Sequence, residues 1–74
     1  MKKLRKEVDL VDDALIKVLE ERIKLGKKIV SLKKGNVEDL KREKEIVSRL
    51  VKNSSLDENF IKKIYSNIFQ CVKN

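Results

Sequence analysis

The chain has no proline, no histidine and no tryptophan, and only two glycines, one cysteine and three aromatic residues. Each scarcity removes a class of answer. With no proline, no ring closure interrupts a helix, and glycine falls only at Gly26 and Gly35. Without histidine, the Ser–His and Cys–His nucleophile pairs and histidine acid–base catalysis are excluded, and a usual zinc site with them. A single cysteine cannot build an intrachain disulfide framework. Cys71 sits in a helical apolar pattern and is expected to be core, not nucleophile. No apolar run approaches the ~20 residues of a membrane span. The basic start Met1-Lys2-Lys3-Leu4-Arg5-Lys6 passes directly into Glu7 and Asp9, which leaves no signal-peptide stretch. A cytoplasmic chain with no metal and no membrane association is expected.

What the chain does have is charge. It carries 19 Lys+Arg against 12 Asp+Glu, a formal +7, which favours an anionic partner. Nucleic acid is the weak option, because Phe60, Tyr65 and Phe69 all belong to an apolar helical pattern and none interleaves with a basic stripe. Lys27-Lys28 and Lys62-Lys63 read as solvated outward faces. The 74 residues make one small domain, and a lone core of that size is marginal. With no disulfide or metal to staple it, association between chains is the remaining source of stability. An oligomer is therefore expected.

Strand alternation is absent, so the chain is expected to be all-α with three helices. Helix 1 is expected from Lys3 to Lys34, roughly 48 Å long. Leu4, Val8, Val11, Leu15 and Val18, then Leu25, Ile29 and Leu32, alternate steps of four and three as a heptad seam does. Gly35-Asn36 is expected to end this helix. Asn36 is expected to cap helix 2, with Glu38 and Asp39 in its first turn. Helix 2 runs to about Lys52, with Leu40, Val47 and Leu50 inward and Ile46 and Val51 beside them. Ser55 with Glu58 has capping-box spacing before helix 3, and Asp57 is a rival cap. Helix 3 carries Phe60, Ile61, Ile64, Tyr65, Ile68, Phe69 and Val72 to the end of the sequence. Helix lengths of about 30, 16 and 17 residues result.

One term of the seam is missing, and it holds Arg22. A buried arginine is costly unless an anion meets it. Lys33 returns to within about 20° of the same direction some 16 Å further along, with Gly26 between them on the same line. Two cations flanking a bare strip read as a pocket for a small anion. Each residue also has a plainer reading. Arg22 could form an interchain ion pair or let its stem pack while its head reaches water. Gly26 could serve close helix packing, and Lys33 could answer the helix dipole. Glu43, in an apolar slot of helix 2, could pair with Arg22 or with a lysine one turn away, and Arg42 beside it is by default solvated. Arg5 lies roughly 25 Å before Arg22 and about 100° off its direction. It cannot reach the same small ligand from the same helix, but could do so from an antiparallel copy.

Three segments carry a resemblance: Leu4-Arg5-Lys6-Glu7-Val8-Asp9; Leu19-Glu20-Glu21-Arg22 continuing through Leu25-Gly26-Lys27-Lys28-Ile29 to Lys33; and Arg42-Glu43-Lys44-Glu45. Together, and in this order over nearly the whole chain, they resemble the all-helical (AroQ) class of chorismate mutases. The resemblance implies an intertwined antiparallel homodimer of three-helix chains acting on chorismate without a cofactor. It implies that Arg22 and, in trans, Arg5 hold the substrate's carboxylates, with Arg42 on the carboxylate side. By the same likeness Lys33 contacts a carboxylate and the ether oxygen, Glu43 accepts from the ring hydroxyl, Asp39 makes a polar contact nearby, and Ile29 is wall.

Two departures from that pattern stand out. The connection Lys34-Gly35-Asn36 is shorter than in many relatives. Aligned from Leu56-Asp57 onward, Val72 falls where relatives often have serine, and the sequence given stops at Asn74 before the usual glutamine. Ser66 and Gln70 repeat the i, i+4 spacing, but only with a shift of several residues in helix 3. The implied reaction, chorismate to prephenate, is an intramolecular rearrangement that needs charge and shape complementarity and no nucleophile, which suits a histidine-free, arginine-rich site. Isochorismate pyruvate-lyase activity on the same fold and a non-catalytic helical dimer are the alternatives.

Overall fold

The computed structural model describes residues 1–32 and 39–74, and among these it forms three helices: α1 (Lys2–Leu32), α2 (Leu40–Lys52) and α3 (Glu58–Lys73). The expected turn at Gly35-Asn36, the Asn36 cap, Glu38 and Lys33 lie outside the described residues. No strand occurs among the described residues, and no helix is long and apolar enough to cross a membrane.

Both short helices are capped by aspartate, which corrects the place expected for Asp39 and decides between the two candidate caps of α3. Asp39 is not in the first turn of α2: its Oδ1 accepts the Arg42 backbone N–H at 3.0 Å, and its carbonyl accepts that of Glu43. At α3, Asp57 takes the cap in preference to Ser55, with Oδ2 accepting the Phe60 N–H at 3.0 Å. The reason is distance along the chain. An aspartate immediately before the first helical residue reaches the free N–H groups without distorting the turn, and its charge also complements the helix dipole. In the turn before α3 it is the Ser54 hydroxyl that accepts, from the Leu56 N–H.

α3 is the organising helix. It packs against both α1 and α2, which make no direct packing contact with each other among the described residues. Its centre line, Ile61 and Ile68, supplies the buried apolar side chains among the described residues, at 5% and 6% exposure. Ile64, Tyr65, Phe69 and Val72 flank that line and are partly covered. Two expectations fail here. Phe60 is half exposed and Cys71 is exposed, because each lies roughly 80–100° around the helix from the line of Ile61, Ile68 and Val72. On α2, Ile46, Val47, Leu50 and Val51 are partly covered as expected, but Leu40, at the first position of the helix, is 60% exposed.

Gly26 is the one buried residue of α1. A Cβ there would come within 2.7 Å of Val72 Cγ2 and 3.1 Å of Val72 Cγ1. The bare strip on α1 is therefore occupied by α3: Gly26 serves close helix packing, and the expected gap above it is filled by Val72. Elsewhere α1 keeps its apolar seam in the open. Leu4, Val8, Val11, Leu15 and Val18 are all more than half exposed in the single chain.

Candidate functional site

Among the described residues α3 packs against both α1 and α2, and the space between these two is a cleft with α3 as its floor. Its volume is about 630 Å³. Each helix contributes one stripe at helical spacing. Arg22, Leu25, Gly26, Ile29 and Val30 come from α1; Arg42, Glu43, Ile46 and Arg49, preceded by the cap Asp39, come from α2; Tyr65, Phe69, Val72 and Lys73 come from α3. Five of the seven sequence-derived site residues thus line one cleft: Arg22, Ile29, Asp39, Arg42 and Glu43. Lys33 lies outside the described residues, and Arg5 stands on the far half of α1, away from the cleft.

Arg22 explains how a cation can occupy the apolar line. Its guanidinium carbon lies 5.9 Å from the centre of the Phe69 ring, and that ring in turn meets Tyr65 edge-on at 5.7 Å. An arginine over an aromatic face is partly compensated without an acid, so its N–H donors stay available to a ligand. No ion pair of Arg22 forms among the described residues. Arg42 sits at the rim, 60% exposed and 3.6 Å from Glu45, close to its solvated default.

Glu43 pairs neither with Arg22 nor with a lysine of its own helix. Its Oε2 is 2.9 Å from Lys73 Nζ of α3. The expectation failed because a contact between helices cannot be seen in the spacing of one. Lys73 and Arg49 are the charged cleft residues the sequence reading missed. For Arg49 a signal existed: Arg42, Ile46 and Arg49 fall at i, i+4 and i+7, one line of α2. For Lys73 none did, since its position depends on how α3 settles against Gly26.

Chemically, the cleft sets four basic side chains, Arg22, Arg42, Arg49 and Lys73, against two carboxylates, Asp39 and Glu43, over an aromatic and aliphatic floor. An excess of positive charge in a partly apolar concavity matches a small anion with an apolar body. No His/Cys/Asp/Glu group able to hold a metal occurs among the described residues. Compared with known families, residues 4–74 match the family described as chorismate mutase type II. No curated protein and no solved structure matches.

Proposed function

The chain belongs to the type II chorismate mutase family, and on that premise we propose that it rearranges chorismate to prephenate as a cytoplasmic homodimer, one catalytic domain per chain and no cofactor. The observation that carries this reading is the meeting of Arg22 and Ile29 of α1 with Asp39, Arg42 and Glu43 of α2 around one cleft. Such a site can orient a diacid by its ends and enclose its ring between apolar walls.

In the proposed reaction a carbon–carbon bond forms as the ether carbon–oxygen bond breaks, so nothing enters or leaves. The protein's task is to hold the folded conformer and to answer the negative charge that grows on the ether oxygen. Arg22 binds one carboxylate, with Arg42 on the same side. Arg5 of the second copy binds the other. Glu43 accepts from the ring hydroxyl, Asp39 makes a polar contact beside it, Ile29 forms wall, and Lys33 supplies the point charge at the ether oxygen. The dimer is proposed because one chain leaves the seam from Leu4 to Val18 exposed and Arg5 remote from the cleft. An antiparallel second copy answers both.

Purified protein given chorismate should produce prephenate. Given isochorismate, it should release no salicylate and pyruvate. Lyase products alone would move the assignment to the pyruvate-lyase. Absence of both reactions, with no calorimetric binding of a bicyclic dicarboxylate analogue, would leave a non-catalytic dimer. Within the mutase reading, Lys33→Ala should lower kcat at least about 100-fold, as losing an oxyanion donor does; an effect on KM alone would refute its role.

A further inference from the structure

The ion pair between Lys73 and Glu43 differs in kind from the others on the surface. Lys62–Glu58 and Arg42–Glu45 join neighbours along one helix, with all four side chains more than half exposed. Lys73–Glu43 joins α3 to α2, and its two side chains are only 19% and 22% exposed. It also stands at a boundary. Glu43, Phe69 and Lys73 line the cleft described above and also a second cleft on the other side of the α2–α3 pair, which continues along Lys44, Ser48 and Ser66. The pair and the Phe69 ring are therefore the wall between the two spaces.

We infer that Lys73 is a positioning residue: it holds Glu43 against α3 so that this carboxylate cannot collapse onto the arginines of the same cleft. The inference rests on the mutase reading for the identity of the ligand. A carboxylate on the same wall as Arg42 and Arg49, across from Arg22, would otherwise be their natural partner. Bound to one of them it would cancel a charge needed for the substrate. With Oε2 engaged by Lys73, Glu43 keeps Oε1, which has no partner among the described residues, for a hydroxyl donor. The charges are thereby sorted: lysine to glutamate within the wall, arginines to the ligand's carboxylates. Lys73 makes a further interaction besides this one.

The same geometry explains why position 73 can act at all. Val72 is seated on Gly26 at van der Waals limits. Once Val72 is locked against α1, the next residue, about 100° around α3, is turned toward α2 and the Glu43 carboxylate.

The test is a double-mutant cycle on the full chain, with prephenate formation and calorimetric binding of a bicyclic dicarboxylate analogue read in parallel. Lys73→Met, which keeps the stem and removes the charge, should weaken analogue binding and raise KM by about tenfold, with a smaller change in kcat. Lys73→Arg, which keeps the charge, should recover most of that loss. In a Glu43→Gln background, where no carboxylate remains to quench an arginine, Lys73→Met should cost less than about twofold further. Circular dichroism at the assay temperature confirms that each variant is folded. An undiminished tenfold loss in the Glu43→Gln background overturns the inference, as does a Lys73→Met protein that loses thermal stability but binds and turns over normally. A wild-type protein that makes no prephenate overturns the mutase reading instead. The binding arm then still reports whether Lys73 governs dianion affinity, and a wild type that binds no dicarboxylate sinks both.

Discussion

The two halves of the molecule are built to different rules. Around the cleft, α2 and α3 look after their own ends. Each has an aspartate cap, a glutamate in the first turn and lysine or arginine in the last. The first half of α1 does none of this. Its first turn has no acidic residue and carries Lys2, Lys3 and Arg5 where the helix dipole disfavours positive charge. Its apolar seam is bare, with Val11 at 66% and Val18 at 65% exposure. A helix with unfavourable end charges and an uncovered seam gains its stability from packing outside itself. The contrast teaches that the cleft is a property of one chain, whereas the first half of α1 is a bare surface for which the proposed second copy would be the cover.

The largest expected effect comes from breaking that second side. Val11→Asp places a charge in the seam at a position far from the cleft. If the seam is covered by a second copy, the variant should sediment as a monomer and lose about 3–5 kcal/mol, the scale of an uncompensated buried charge. Were the seam solvated surface, the change in stability would stay within about 0.5 kcal/mol and the comparison above would fail.

Next in size is the pairing of Arg5 with Arg22. Either arginine replaced by alanine should lower kcat/KM at least about 100-fold, since each loses a charge-assisted, bidentate contact to a carboxylate. Refolded together in equal amounts, the two inactive proteins should regain about a quarter of wild-type activity. In a two-fold symmetric dimer, random pairing makes half the molecules mixed, and each mixed dimer has one site with both arginines. No recovery would mean that both arginines serve the same site from one chain, or that Arg5 serves none.

Much of this arrangement was legible in the sequence, and the part that was not has a common cause. Helical periodicity found three helices and singled out Arg22 and Glu43; the family resemblance added Ile29, Asp39 and Arg42, and these five do line one cleft. Periodicity describes one helix at a time. It could flag Arg22 as anomalous but could not see the Phe69 ring that makes its position tolerable. It could flag Glu43 but not Lys73, which arrives from another helix. It left Gly26 open between ligand space and close packing, because the residue that decides for packing, Val72, is distant in sequence. Cys71 and Phe60 were misplaced for a simpler reason: an apolar residue at the edge of a stripe looks like part of it until the packing partner sets where the stripe's centre lies.

Gly26 sharpens the comparison at a smaller scale, because it is the one buried residue of α1. Gly26→Ala gains about 1 kcal/mol of helix propensity. Against that, its Cβ would lie 2.7 Å from a Val72 methyl and 3.1 Å from Arg22 Nη1. The arginine end can swing aside, but valine is stiff about its first side-chain bond and cannot. Overpacking of this kind costs about 1–3 kcal/mol, so urea denaturation should show net destabilisation. Adding Val72→Ala should recover part of it. A stable Gly26→Ala protein would mean that α3 does not approach α1 as closely as the contact requires.

The smallest effect separates the two aspartate caps. Each accepts a backbone N–H at 3.0 Å, so alanine at either should cost about 1 kcal/mol in stability. Their neighbours differ. The turn behind Asp57 carries no residue of the cleft, whereas the turn behind Asp39 carries Arg42 and Glu43. Asp57→Ala should therefore leave kcat/KM unchanged when assayed well below its melting transition, while Asp39→Ala should lose about tenfold as that first turn frays. Asparagine caps as well as aspartate, so Asp39→Asn should restore the stability and most of the activity. Equal losses of activity from Asp39→Ala and Asp57→Ala would show that both act only through global stability, and that the start of α2 needs no special rigidity to hold its two polar side chains at the cleft.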